Sequence, residues 1–214
     1  MLNIDQKKEL ISQLIGSEII KVVEQSNTGD LAAPYQINLK VLTSYPDILK
    51  SVGNYFGSAL KGYHFDMLAG PFTDIPLATT ISLAFNWPMI FVREIRKEHG
   101  MERLVEGNFK SGQKVVVVDD EIDDISSTLQ LLGRLEGSGL EIVGIFVLLD
   151  RGYGALEAVK TKGYHTNSLL TLNDIFVELV NMGQIKQEDM TKIKEYTEGK
   201  RNEFLVKSNL NKEN

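Results

Sequence analysis

Cysteine is absent from the 214 residues, which excludes disulfides, thiolate zinc sites and cysteine nucleophiles. Histidine is scarce: His64, His99 and His165 lie far apart and lack metal-ligand spacing. No apolar run approaches the roughly 20 residues of a membrane span. The stretch Met1 to Gly16 is charged and amphipathic, unlike a secretory leader. Basic residues are outnumbered, 23 against 29 acidic, for a net charge of −6. That balance argues against non-specific nucleic-acid binding, which needs clustered lysine and arginine. The expectation is a cytoplasmic protein with neither a nucleic acid nor a membrane as partner.

The apolar share, 43%, is ordinary and ample for a core, and the length suits one α/β domain spanning 1–214. The chain is organised around Val115-Val116-Val117-Val118, followed by Asp119-Asp120-Glu121-Ile122-Asp123-Asp124. Four successive β-branched residues read as a strand buried on both faces, as in a parallel sheet. A helical pattern begins near Ser126, so the segment reads strand, acidic loop, helix. Ligands of open α/β sheets collect beyond the carboxyl ends of the strands, where a Mg2+-bound phosphate or sugar would meet this loop. Acidic residues also suit the first turn of a helix, so Asp123 or Ser126 could serve only as a cap. Asp119 and Asp120 point to chemistry, because adjacent carboxylates after a buried strand repel unless something cationic or hydroxylated lies between them.

Apolar positions Leu10, Ile11, Leu14 and Ile15 predict a helix over Ile4 to Ile15, with Asp5 in its first turn and Gly16 just past its end. Strands are expected at Ile19 to Val23 and Pro34 to Leu39, with a turn at Asn27 to Asp30 between them. A helix opens at Ser44 and Pro46 and runs to Leu60; a short strand at Asp66 to Ala69 is broken by Gly70-Pro71. A helix from Ile75 to Phe85 and a strand from Met89 to Val92 follow. Arg93 to Gly107 has no apolar periodicity and reads as a long mobile loop, a kind that is usually functional. Beyond the central segment, a helix to about Glu136, a strand at Glu141 to Leu149 and a helix at Ala155 to Lys162 are expected. Leu169 to Leu172 is extended or capping, and Asp174 to Val180 and Glu188 to Tyr196 are short helices. From Gly199 the chain is polar, and 201–214 is expected to fray. The alternation implies an α/β fold, a parallel central sheet flanked by helices with right-handed crossovers. The ends, about 1–40 and 150–200, lie outside the βαβ pattern and predict a small hood over the crevice.

Five stretches, in this order and at this spacing, carry a resemblance. They are Ala33 to Lys40, Gly70 to Thr79, Arg93 to Gly107, the central strand with its acidic end, and Val147 to Arg151. Together they resemble type I phosphoribosyltransferases, specifically the orotate phosphoribosyltransferases and the transferase half of uridine monophosphate synthase. The resemblance implies transfer of ribose 5-phosphate from phosphoribosyl pyrophosphate to orotate, with Mg2+, in pyrimidine biosynthesis, by a homodimer. It implies that Asp119 and Asp120 are catalytic, hold the ribose hydroxyls and meet Mg2+ through those hydroxyls or water. It gives Arg93, Lys97 and His99 to pyrophosphate on the mobile loop, with Lys97 and His99 catalytic, and the segment with Thr73 to the pyrophosphate side. Arg151 then meets orotate, a guanidinium fork facing a carboxylate. Taken without the family, Arg93 and Arg151 read as ordinary strand-end arginines, and Lys97 and His99 as solvated side chains beside Glu98 and Glu102.

The sequence also departs from the family. A Thr-small-Gly-Ser/Thr loop typically cradles the 5′-phosphate with backbone N–H groups at a helix N-terminus. Here those positions read Asp123-Asp124-Ile125-Ser126, with Ser127 following. Two carboxylates there repel phosphate, and a β-branched residue resists the positive φ that glycine permits. Glu94 stands where many members have lysine, and Thr28 to Asp30 lacks a lysine found near the base in some relatives. Two alternatives follow: a catalytically impaired relative kept as a nucleotide-binding or regulatory protein, or a transferase for another base.

Overall fold

The computed structural model describes residues 2–17, 19–22, 35–93, 104–122 and 125–210, with backbone alone for 207–210. The expected loop residues Lys97 and His99, the acidic pair Asp123-Asp124 and the turn at Asn27 to Asp30 lie outside the described residues.

Helix α1 (Ile4–Gly16) starts at Asn3, whose side chain accepts from the Gln6 N–H while the Gln6 side chain accepts from the Asn3 N–H. This reciprocal cap satisfies two orphan donors of the first turn. Strands β1 (Ile20–Val22) and β2 (Tyr35–Ile37) pair antiparallel as a separate two-stranded sheet. A 3₁₀ turn, Leu39–Ser44, leads into α2 (Pro46–Leu60), with proline in the first turn. Then come β3 (Met67–Pro71), α3 (Ile75–Phe85), β4 (Met89–Val92), β5 (Val105–Glu106) and β6 (Lys114–Glu121). The rest is α4 (Ile125–Gly137), β7 (Glu141–Asp150), α5 (Ala155–Thr161), β8 (Thr166–Thr171), α6 (Leu172–Asn181) and α7 (Gln187–Leu210).

The main sheet has the order β5-β4-β3-β6-β7-β8, parallel except for the antiparallel edge strand β5. Each valine of the central run is at most 1% exposed, and alternate valines face opposite cores. Val116 and Val118 pack in the core that holds Phe56 and Ile81 of α2 and α3. Val115 and Val117 pack with Leu132 and Leu135 of α4 and Val159 of α5. The period of two in a strand covered on both faces explains the unbroken apolar run. From β3 the chain turns through α3 to β4 on one side, and from β6 it turns through α4 to β7 on the other. The carboxyl ends of β3 and β6 therefore flank the switch point of the sheet, where a crevice opens.

Four expectations are corrected. The strand β6 runs on through Asp119, Asp120 and Glu121, with Asp119 opposite Val147 and Glu121 opposite Leu149, so these three acids end a strand and do not belong to a loop. Gly70-Pro71 completes β3, opposite Phe91 and Val92; proline is tolerated at the strand's last position. Part of the expected loop from Arg93 is the edge strand β5, anchored by Val105 at 1% exposure. Helix α7 continues through Gly199 to Leu210, since Lys200 pairs with Glu203, Arg201 with Glu157, and Phe204 packs on the core.

The chain ends meet. Lys7 of α1 donates to Asp174 of α6 at 2.7 Å. Tyr35 of β2 packs on Phe176 and Tyr196, and its hydroxyl shares a 2.6 Å hydrogen bond with that of Tyr153. Burial is the first cause that pushes the Tyr35 phenol far above its ordinary range, followed by that bond.

Helices α2 and α3 approach closely over Gly53 and Gly57, one turn apart. A β-carbon at Gly53 would lie 2.8 Å from the Thr80 methyl, and one at Gly57 would overlap the Phe85 ring. Gly57→Ala should therefore cost about 1–3 kcal/mol by overpacking, net of the helix-propensity gain. Urea unfolding checks this; an unchanged or raised midpoint would contradict it.

Candidate active site

Three carboxylates converge at the switch point. Asp119 and Asp120 arrive on the end of β6, and Asp74 at the turn between β3 and α3. Their oxygens lie within 4.8 Å of one another. The position of Asp74 before a proline-bearing helix reads as an N-cap, yet its side chain makes no cap hydrogen bond. Instead it faces Lys40 of the 3₁₀ turn, whose ammonium donates to both Asp74 oxygens at 2.9 and 2.8 Å. The same ammonium lies 2.8 Å from Asp120 Oδ2. Thr73 Oγ1 donates to Asp74 Oδ2 at 2.7 Å. At the strand end, Asp119 accepts from the Asp120 N–H and Asp120 from the Glu121 N–H.

Burial first, and then charge crowding, shifts the titration of this cluster. Burial, then the charges of Asp74 and Asp120 and a hydrogen bond to Asp74, holds the Asp119 carboxyl well above the usual carboxylate range. Burial and the Asp74 charge also raise Asp120, opposed by Lys40. Burial pulls the Lys40 ammonium down, but its bonds to Asp120 and Asp74 outweigh that and raise it overall.

These residues line a cavity of about 680 Å³ that also takes in Arg93, Ser127 and Thr128, a size suited to a small ligand. Another hollow, about 730 Å³, is lined by Leu104, Phe109 and Arg134 among others and lacks the carboxylates. Of the residues singled out in the sequence, Thr73, Arg93, Asp119, Asp120 and Ser127 thus share one cavity, while Ser126 is exposed at the start of α4. Arg93 Nη1 donates to Glu106 at 3.1 Å, and its carbonyl accepts from Arg134. Arg151 lies at the neighbouring end of β7. Its Nε and Nη2 donate to the two Glu121 oxygens at 2.5 and 2.9 Å, and Nη2 also to the Ile37 carbonyl at 3.2 Å. Glu121 therefore grips the fork expected to face a ligand. Sequence reasoning passed over Lys40 and Asp74 as site residues, because their partners are distant in sequence.

Asp119 holds its proton more tightly folded than unfolded. From its ordinary value of 3.8 up to its raised one, the folded chain binds the extra proton, so this contribution to stability falls as pH rises. Asp119→Asn should melt above wild type at neutral pH, with the gap widening as pH rises through that interval. Melting curves from pH 4 to 8 that run parallel would contradict this.

No family model matches the chain. It is 34% identical over 173 residues to the orotate phosphoribosyltransferase of Pyrococcus furiosus, covering 79% of this chain and 95% of that one. It is also 34% identical over 181 residues to the bifunctional enzyme PyrF/PyrE of Nostoc, covering 84% of this chain but 38% of that enzyme. Among solved structures, the UMP synthase of Leishmania donovani superposes with a TM-score of 0.77 at 26% identity, over 90% of this chain and 42% of that one. The Mycobacterium tuberculosis orotate phosphoribosyltransferase in complex with 5-phospho-alpha-D-ribosyl 1-diphosphate gives 0.63 at 25% identity, over 79% of this chain and 98% of that one. The chain thus spans under half of the two longer proteins and nearly all of the single-function ones. With this sheet order, acids at its switch point and a relative matched almost end to end, the chain belongs to the orotate phosphoribosyltransferase family.

Proposed function

We propose that this chain transfers ribose 5-phosphate from phosphoribosyl pyrophosphate to orotate, giving orotidine 5′-monophosphate and pyrophosphate. The observation that carries the reading is the trio of buried Asp74 and Asp120 with half-buried Asp119 at the crevice. The transition state places positive charge on the ribose carbon as an anionic group leaves, so fixed negative charge beside the sugar stabilises it. Asp119 and Asp120 accept hydrogen bonds from the ribose hydroxyls and orient the ring. Arg93, on the cavity wall, and Lys97 and His99 of the loop meet the pyrophosphate. Arg151, steadied by Glu121, faces the orotate carboxylate. Ser126 and Ser127, with Asp123 and Asp124 beside them, form the 5′-phosphate end. The hood from the chain ends excludes water from a hydrolysis-prone sugar cation. The working form is a cytoplasmic homodimer.

The trio fits Mg2+. Carboxylate oxygens are the hard donors it prefers, with substrate phosphates and water completing the shell. The Lys40 ammonium, shared between Asp74 and Asp120, leaves three carboxylates short of neutrality. Asp119 and Asp120 would hold the ion through ribose hydroxyls or water, with Asp74 beside them. When bound, it supplies positive charge to the pyrophosphate oxygens. The named relatives favour the transferase over a regulatory reading.

Incubation with orotate, phosphoribosyl pyrophosphate and Mg2+ should consume orotate, followed by its absorbance. Lys97→Ala should slow turnover by about a hundredfold or more; wild-type silence, or a variant as fast as wild type, would contradict the reading. Replacing Asp123, Asp124 and Ile125 by Thr, Ala and Gly should raise phosphoribosyl pyrophosphate affinity, because it removes two like charges from a phosphate site. A calorimetric titration showing no gain would count against the proposed 5′-phosphate end.

A further inference from the structure

Lys40 has an unusual place in this site. Its ammonium contacts two carboxylates at once, at 2.8 to 2.9 Å. The carboxylates and the lysine differ in their freedom to move. The side chains of Asp74 and Asp120 are 7% and 6% exposed, whereas that of Lys40 is 54% exposed. Asp120 is fixed in β6, flanked by residues paired to β7, and Asp74 by the turn into α3. Lysine carries one charge on a flexible four-carbon stem. A second cation entering between the acids is repelled by that ammonium, and of these three side chains Lys40 is the one that can withdraw into solvent.

We propose that Lys40 is a displaceable resident cation: it bridges Asp74 and Asp120 until Mg2+ enters, and then leaves them. The inference rests on the Mg2+ reading above and adds a role for a residue to which sequence reasoning gave none. In the metal-free chain the lysine keeps the repelling carboxylates assembled, so the site is preformed. Once released, its ammonium is available on the cavity wall to the anionic leaving group. The bridge also sets a threshold, because Mg2+, even when held through water, must compete with an internal charge for the same carboxylates.

Amine acetylation of the intact chain, mapped by mass spectrometry, reads this directly. Mg2+ alone should raise Lys40 labelling severalfold, relative to the exposed Lys50 on α2. Unchanged or reduced Lys40 labelling at a Mg2+ concentration that supports full orotate turnover overturns the role and leaves the transferase reading standing. Rising Lys40 labelling without turnover at any Mg2+ concentration supports displacement and overturns the transferase reading. Lys40→Met, which keeps the stem and removes the charge, should bind Mg2+ alone about tenfold more tightly by calorimetry, while Lys40→Arg stays near wild type. Equal or weaker affinity in a folded Lys40→Met chain overturns the proposal. If that variant does not fold, the wild-type labelling decides.

Discussion

Mutual repulsion among Asp74, Asp119 and Asp120 is the constraint from which the rest of the site follows. Three carboxylates whose oxygens fall within 4.8 Å cannot all remain charged in a buried pocket without compensation. The chain supplies one remedy of its own, the Lys40 ammonium, and burial with the neighbouring charges raises the proton affinity of Asp119; a single lysine charge does not balance three carboxylates. On the proposed reading, the remaining negative charge is what a divalent ion and donating ribose hydroxyls would meet.

The sheet makes that crowding possible. A strand buried on both faces, with two cores against alternate valines, is rigid enough to deliver Asp119 and Asp120 to one end with little freedom to separate. The neighbouring β3 passes through the short 3₁₀ turn Phe72–Asp74 into α3, which sets Asp74 across the crevice. On the other flank, Arg151 and Glu121 neutralise each other while tying the ends of β6 and β7 to the carbonyl of Ile37 in β2. The small N-terminal sheet is thereby fastened to the rim of the site, a short distance from where Lys40 reaches in.

Much of this was legible in the residues. The helical stripe at Leu10 to Ile15, the proline-opened helices and the valine run located most elements, because periodicity and punctuation are local signals. The end of β6 was misread because acidic residues favour loops and helix starts, while ladder pairing with β7 held them in the strand. Glycine at 199 suggested a frayed tail, and the packing of Phe204 with the Arg201–Glu157 pair overrode it. Lys40 and Asp74 could not be singled out at all: 34 residues separate them, and nothing local in either marks the other. Family likeness pointed to Thr73 and Arg93, which line the same cavity as the acids, but it could not show that Glu121 already holds Arg151.

The central claim is that the crevice at the end of β6 receives a phosphorylated sugar despite its excess of acids. A crystal structure with phosphoribosyl pyrophosphate and Mg2+ tests it most directly. The account predicts the ribose hydroxyls within hydrogen-bond distance of Asp119 and Asp120. A sugar bound elsewhere, or a crevice still closed by the Lys40 bridge at saturating ligand, would contradict it.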